Sequence, residues 1–279
     1  MINFNRNIVE EAVINQNNRG FKFGDAVFET LKVIDGKILF FEDHYFRLMA
    51  SMRIMRMEIP MVYTMENIEF EIKKLIKRKD LLQSAVRVRL TVYRDAEGLY
   101  LPKSNDVGFV IEASALPDRN YILNDTTYEV GLFKDHYITP QLLSTLKTNN
   151  RILNVIASVY AQENSLSNCL LLNSDKKVVE AINGNLFLVK GNVVKTPLLS
   201  DGCIKGIMRK QIIELLTVKE NITIEEASIS PFELQQADEL FISNVIKGVV
   251  SISKYRKKEY SNSLATDLVK RLNAKILLG

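Results

Sequence analysis

Histidine and cysteine are scarce in this chain. The only histidines are His44 and His136, and the only cysteines are Cys169 and Cys203. Two cysteines build no disulfide framework and no metal signature, so both are expected to be reduced thiols. Two histidines supply a zinc or iron site poorly, and a Ser-His-Asp triad no better. No metal is therefore expected. Long apolar runs are missing too: no stretch of about 18 such residues exists, which leaves no membrane span. The first residues, MINFNRNIVEEAV, carry Asn, Arg and two Glu where a signal peptide needs an apolar stretch. A cytoplasmic protein is expected.

Charge of one sign is also lacking. The chain has 37 basic and 33 acidic residues, a net +4, and they are interspersed. No basic block with interleaved aromatics is present, so a nucleic-acid partner is not expected. The small positive bias suits an anionic small-molecule substrate, and equally an ordinary solvated surface. There is no G-x-G-x-x-G or P-loop lysine pattern, no internal repeat and no low-complexity segment.

What is present is a globular composition, 47% hydrophobic and 25% charged over 279 residues. That length is enough to bury a sizeable core in one large domain or two ordinary ones. ETLKVIDGKILFF places apolar residues around Asp35-Gly36, a dipeptide that tolerates the positive φ of a tight hairpin turn. EDHYFRLMASMRIM follows at helical period, with Tyr45, Leu48, Met49 and Met52 on one face. ENIEFEIKKLIKRK is a second amphipathic helix, and AVRVRLTVYRD and VGFVIEASAL are strands. In the second half TTYEVGLF is a strand, and NCLLLNSDKKVVEA and NLFLVKGNVVKT are hairpins. KGIMRKQIIELL is a helix entered through glycine. ADELFISNVIKGVVSI is strand, turn, strand. SNSLATDLVKRLNAKILL is a closing helix with Ser261 or Ser263 as its cap. The pattern predicts an α+β fold of two hairpin-rich domains with mixed sheets and flanking helices, not a doubly wound one. The N-terminal domain is placed at 1–115, a linker at 116–125, and the C-terminal domain at 126–279.

Four features carry chemistry. Lys147, in LLSTLKTNNRILNV, lies between an apolar run and a helical pattern. Desolvation and the positive end of a helix both disfavour its charged form, and a neutral amine is what bonding to a carbonyl carbon needs. In DGCIKGIMRKQ a helix opens near Gly206 without an acidic first turn. The free N–H groups of Ile207 and Met208 then suit an anion. Arg47, three residues after His44 on one helix side, presents a planar fork suited to phosphate. Glu180, in apolar company at the end of a hairpin strand, needs a partner, and a protonated ring nitrogen would serve. Taken singly, each reads as well as an ordinary helix-entry, helix-start, surface or strand-end residue. Together they supply what pyridoxal phosphate requires.

The same residues carry a resemblance. The chain is similar to the class IV, fold-type IV pyridoxal-phosphate enzymes, which include branched-chain and D-amino acid aminotransferases and 4-amino-4-deoxychorismate lyases. RGFKFGDAVFET resembles the family's R-G-x-x-F-G-D-G-x-F-E-T, with Ala26 replacing a glycine. HYFRL resembles H-x-x-R-L, which gives Arg47 the cofactor phosphate. LKTNN resembles the segment of the Schiff-base lysine, which gives that role to Lys147. EAINGNLF keeps the family's glutamate and asparagine, which makes Glu180 the partner of the ring nitrogen. GIMR resembles G-[IV]-x-R, whose backbone amides hold the phosphate, here at Gly206, Ile207 and Met208. ISNVIKG occupies the last phosphate-binding turn, with Asn244 and Val245 where relatives often carry Ser or Thr. The resemblance also implies a homodimer.

Substrate cues point toward the lyase. SNVIKG is closer to a lyase turn than to the aminotransferase G-T-G-T-A. KTNN is near the lyase K-[ST]-x-N. Phe28 replaces a tyrosine of the D-amino acid enzymes, and Thr30 aligns with a lyase threonine. Arg94 and Lys247 are candidate anchors for substrate carboxylates, or ordinary exposed cations. The sequence thus leads to aminodeoxychorismate lyase, which releases pyruvate and gives 4-aminobenzoate for folate synthesis. The alternatives are an amino acid aminotransferase and a cofactor-less binding protein that kept the fold.

Overall fold

A computed structural model describes residues 1–278 of the chain. The chain divides into two compact units, Met1–Arg119 with Lys147–Asn150, and Asn120–Leu146 with the chain from Arg151 onward.

The first unit is built on a six-stranded sheet. In chain order its elements are β1 (Ile2–Phe4), β2 (Asn7–Val9), α1 (Arg19–Phe23), β3 (Ala26–Ile34) and β4 (Lys37–Ile38). Then come α2 (Phe41–Ile54), α3 (Met65–Arg78), β5 (Ala85–Arg94) and β6 (Val107–Leu116). The strand order is β2-β1-β6-β5-β3-β4, and neighbouring strands run antiparallel. Period-2 alternation sends Val27, Leu31 and Val33 of β3 into one apolar cluster with Val86, Val88, Leu90 and Val92 of β5. Helices α2 and α3 cover it with Leu48, Met49, Met52, Ile68, Ile72, Leu75 and Ile76, spaced as one helix face requires. Each such side chain, taken wholly from water, contributes roughly 1.5–3 kcal/mol. The Asp35-Gly36 turn forms as expected, with φ of 48° and 76° at its two residues, the primed geometry that matches strand twist. Thr64 caps α3 by accepting from Asn67 N at 3.2 Å.

A contiguous cut after residue 125 assigns Lys147 to the second half of the chain. The backbone counts Lys147–Asn150 with the first unit. These residues lie along β3: Phe28 N donates to Lys147 O at 2.8 Å and Asn149 N to Ala26 O at 2.9 Å. Val27 and Thr148 pair as an antiparallel bridge.

The second unit contains β7 (Glu129–Ile138), α4 (Ile152–Glu163), β8 (Asn168–Asn173), β9 (Val178–Ala181), β10 (Asn185–Lys190), β11 (Val193–Thr196) and α5 (Ile207–Thr217). It continues with β12 (Thr223–Glu226), α6 (Pro231–Gln236), β13 (Glu239–Asn244), β14 (Gly248–Ile252), β15 (Lys254–Tyr255), β16 (Lys258–Glu259) and α7 (Ser263–Leu278). One sheet runs β12-β11-β10-β13-β14 and the other β16-β15-β7-β8-β9. Leu170, Leu172, Val178, Leu186, Leu188, Leu240 and Ile242 from both sheets share one apolar cluster. Every residue of β8 and β9 is buried, which is why NCLLLN reads as a continuous apolar run. The reverse face of β7 and β8 packs Phe133, Cys169 and Leu171 against Ala157 and Ala161 of α4.

Two local expectations change. The first turn of α7 is held by buried Glu239 of β13, not by Ser261, whose Oγ donates to Asp238 O at 3.2 Å. The Glu239 carboxylate accepts from Leu264 N at 2.9 Å and Ala265 N at 3.3 Å, where the helix dipole favours negative charge. And the helix after Lys147 starts only at Ile152, because the intervening residues are engaged on β3. Both cysteines are free and buried. No helix among the described residues is long and apolar enough to cross a membrane.

Candidate active site

In the first unit, Lys147 and Phe28 form the centre of one group. The backbone bond to Phe28 aims the Lys147 side chain across β3, and its Nζ lies 4.4 Å from the centre of the Phe28 ring. The Arg89 guanidinium lies over the same ring at 3.7 Å. Arg89 also donates to Thr91 Oγ1 and to Asn149 Oδ1, and burial holds its pKa below the usual guanidinium value, against the pull of Glu112. Cation–ring contacts of this kind are worth about 0.5–2 kcal/mol. Thr30 is the register partner of Arg89 across the β3–β5 pair. Gly24 supplies the close approach beside this segment: its φ is +63°, and a Cβ there would stand 2.4 Å from Asn150 Oδ1.

Arg47 is engaged by Glu29, which alternation places on the inward face of β3 between Val27 and Leu31. Arg47 Nε donates to Glu29 Oε1 at 2.7 Å and Nη2 to Oε2 at 2.5 Å, and His44 Nδ1 meets Oε2 at 2.7 Å. Burial alone would raise the Glu29 pKa, but Arg47 and His44 outweigh it and hold the carboxyl at about 2. Glu29 is therefore an acceptor, so His44 carries its proton on Nδ1. Burial keeps the His44 pKa below its ordinary value, although Glu29 pulls the other way, and both Arg47 and Lys147 reinforce the lowering. His44 Nε2 is buried with no hydrogen-bond partner among the described residues.

In the second unit, Glu180 is buried on β9 and accepts from Ile204 N at 2.9 Å. Arg151 is its charge partner, with burial lowering and Glu180 raising the guanidinium pKa. The chain then enters α5 through Gly206, whose helix start has no side-chain cap and no acidic first turn. A Cβ at Gly206 would fall 2.0 Å from Asn185 Oδ1, so a side chain there would displace the Asn185 carboxamide that lies between this helix start and β10. Asn185 Nδ2 donates to Ile204 O at 2.8 Å. Its register partner Ser243 has a buried Oγ with no partner among the described residues. Next to Ser243, Asn244 turns its carboxamide onto its own loop, accepting from Ile246 N at 3.1 Å and Lys247 N at 2.9 Å. Val245 is buried, and its carbonyl accepts from Tyr121 Oη at 2.7 Å. Lys247 is exposed on that turn.

The anchor expected at Arg94 is corrected by this geometry. Arg94 is buried, with Nε on Asp25 Oδ2 at 2.9 Å, Nη1 on Asn105 Oδ1 and Arg56 O, and Nη2 on Met55 O at 2.7 Å. It is a clamp on surrounding backbone, neither a substrate anchor nor an exposed cation. Three residues were passed over in the sequence: Glu29, Arg89 and Arg151. Alternation in AVFETLKV marks Glu29 as an inward carboxylate, and the same rule puts Arg89 and Phe28 on the opposite face. Arg151 has no comparable signal. No group of three or more His, Cys, Asp or Glu among the described residues is arranged to hold a metal ion.

The model of the family described as amino-transferase class IV matches residues 26–255. A putative branched-chain-amino-acid aminotransferase of Methanocaldococcus jannaschii is 27% identical over 266 residues, 95% of this chain and 91% of the relative. The D-alanine aminotransferase of Listeria monocytogenes is 26% identical over 250 residues, 88% and 83% of the two chains. An aminodeoxychorismate lyase of Vibrio harveyi is 25% identical over 238 residues, 85% of each chain. Among solved structures, the branched-chain aminotransferase of Thermoproteus uzoniensis superposes with a TM-score of 0.87 at 23% identity, covering 100% of this chain and 94% of that one. That likeness is one of fold.

Proposed function

Since the chain belongs to the amino-transferase class IV family, we propose that it is a pyridoxal-phosphate-dependent enzyme, with Lys147 as its reacting amine and aminodeoxychorismate lyase as its activity. The observation that carries the reading is Lys147 itself, fixed by its backbone to β3 and facing the Phe28 ring. The donor set fits the cofactor. In the first unit Arg47 suits a phosphate; in the second, so does the uncapped start of α5 at Gly206, Ile207 and Met208, beside β10 and its register partner Ser243, whose Oγ has no partner among the described residues. Glu180, with Arg151 as its charge partner, suits a ring nitrogen. The Asn244–Val245 turn contributes backbone in our assignment, since the Asn244 carboxamide is committed to its own loop.

The cofactor, when bound, supplies an electron sink for the bond that breaks at the amino-bearing carbon. Lys147 then does two things. Its amine would hold the cofactor, and the same amine is placed to take the proton from the substrate carbon that bears nitrogen. Arg89, on the same ring as Lys147, holds a substrate carboxylate in place of Arg94, through the two-point geometry that guanidinium offers. Phe28 and Thr30 border it. For aminodeoxychorismate, loss of the C4 proton is followed by cleavage of the C3–O bond. The enolpyruvyl group leaves and gains a proton as pyruvate, and the ring becomes aromatic 4-aminobenzoate.

The second reading is an amino acid aminotransferase, favoured by the branched-chain and D-alanine names of the relatives. A substrate panel separates them. The lyase reading requires pyruvate and 4-aminobenzoate from aminodeoxychorismate, with no amino acid converting the cofactor to its amine form. Conversion by an L- or D-amino acid, with no pyruvate from aminodeoxychorismate, overturns it. We assign a homodimer in the cytoplasm. Exposed Ile152, Val155, Ile156 and Val159 form an i, i+3, i+4, i+7 apolar stripe on α4, and light scattering on the purified protein tests it.

A further inference from the structure

We propose that Glu29, steadied by His44, is a positioning residue that fixes the direction of Arg47 and thereby sets how strongly this chain grips the phosphate of its cofactor. The inference rests on the reading above and concerns residues outside it. A carboxylate at 2% exposure, flanked by Val27 and Leu31 in an apolar cluster, is costly to bury. Replacing a buried ion pair by apolar residues of similar volume is often neutral or stabilising, so stability alone is a weak reason for this one. What it does supply is orientation. Both Glu29 oxygens are used on one guanidinium edge, at 2.7 and 2.5 Å, and a two-point fork removes the rotamer freedom of a long side chain. Glu29 Oε2 is in turn fixed by His44 Nδ1 at 2.7 Å. His44 and Arg47 lie three residues apart on α2, so one rigid helix face presents both. The order of action is His44 to Glu29 to Arg47.

A test must separate direction from charge, because removing the Glu29 charge would by itself strengthen attraction between Arg47 and a phosphate. Glu29→Asp keeps the charge and shortens the reach, so the fork is lost. The full-length apoprotein is titrated with pyridoxal phosphate and, separately, with pyridoxal, which lacks the phosphate, following the absorbance of lysine-bound cofactor. The wild type is expected to prefer the phosphorylated form strongly. Glu29→Asp should cut that preference about tenfold, leaving the pyridoxal affinity unchanged. Adding Arg47→Met to Glu29→Asp should cost no more than Arg47→Met alone, because Glu29 acts through Arg47. His44→Asn, which retains a donor at the Nδ1 position, should preserve more of the preference than His44→Phe, and this pair keeps the test open if Glu29→Asp folds poorly. Equal loss for both ligands, an unchanged preference, or additive losses with Arg47→Met would overturn the proposal. A wild type that binds neither ligand through Lys147 would instead overturn the functional reading on which it rests.

Discussion

Lys147 is tied to Phe28 twice, once through its carbonyl, which accepts from Phe28 N at 2.8 Å, and once through its Nζ, 4.4 Å from the ring centre. The first tie does not depend on the side chain. Lys147→Ala should therefore fold normally, with a far-ultraviolet spectrum like the wild type's, and lose both the absorbance of lysine-bound cofactor and essentially all turnover. Retained absorbance after reconstitution would remove Lys147 from the reaction.

Arg89 and Arg94 lie five residues apart on β5 and should behave in opposite ways. Arg89→Leu is expected to raise KM, lowering kcat/KM about tenfold or more through one lost charge-assisted contact, with little change in melting temperature. Arg94→Ala breaks a buried pair with Asp25 and three further bonds, and should cost on the order of 3 kcal/mol of stability. Kinetics and denaturant titration on the two variants decide it. Equal stability loss in both would contradict the assignment.

Acid should destabilise the protein in two stages. His44 has a folded pKa below its unfolded value near 6.5, so its stabilising contribution is complete above that pH and is lost as pH falls below it. Glu29 has a folded pKa of about 2 against 4.5 when unfolded. Its contribution, on the order of 3 kcal/mol, is present above pH 4.5 and is lost as pH falls toward 2. Denaturant midpoints measured across pH 7 to 3 should decline in both ranges, and Glu29→Gln should flatten only the lower one.

The two thiols should be chemically silent. Burial pushes Cys169 up to about 11 and Cys203 up to about 12, with Glu180 adding to the second, so neither offers a thiolate near neutral pH. Native protein should resist thiol reagents and retain activity in their presence, then titrate two thiols after denaturation. Rapid modification of folded protein accompanied by loss of turnover would show that a cysteine serves the site.

The sequence makes the fold legible where a local rule decides it. Asp35-Gly36 announces a turn whatever surrounds it, and the spacing of Leu48, Met49 and Met52 commits α2 to one buried face. Arg47 and Lys147 stand out because helical period and an isolated charge are visible locally. Glu29 is visible only to strand alternation, and the importance of its place depends on a partner on the next helix. Arg94 looks like a surface cation because its acceptors, Met55 O, Arg56 O and Asn105 Oδ1, are brought to it by tertiary structure. Lys147 looks like a helix entry for a related reason. The residues after it resemble the start of a helix, and backbone pairing with β3 overrides that local tendency until Arg151.

That pairing has a consequence for how the molecule is made. The segment Lys147–Asn149 closes on Ala26–Phe28, chain that leaves the ribosome more than a hundred residues earlier. During synthesis the sheet from β1 to β6 can assemble while Lys147 has yet to be translated. The amine reaches its place only by a late, long-range closure of the kind that slows folding. On the role proposed for Lys147, cofactor capture should accordingly be among the last events of biogenesis, because a chain stalled before residue 147 would hold Arg47 and Glu29 in place without it.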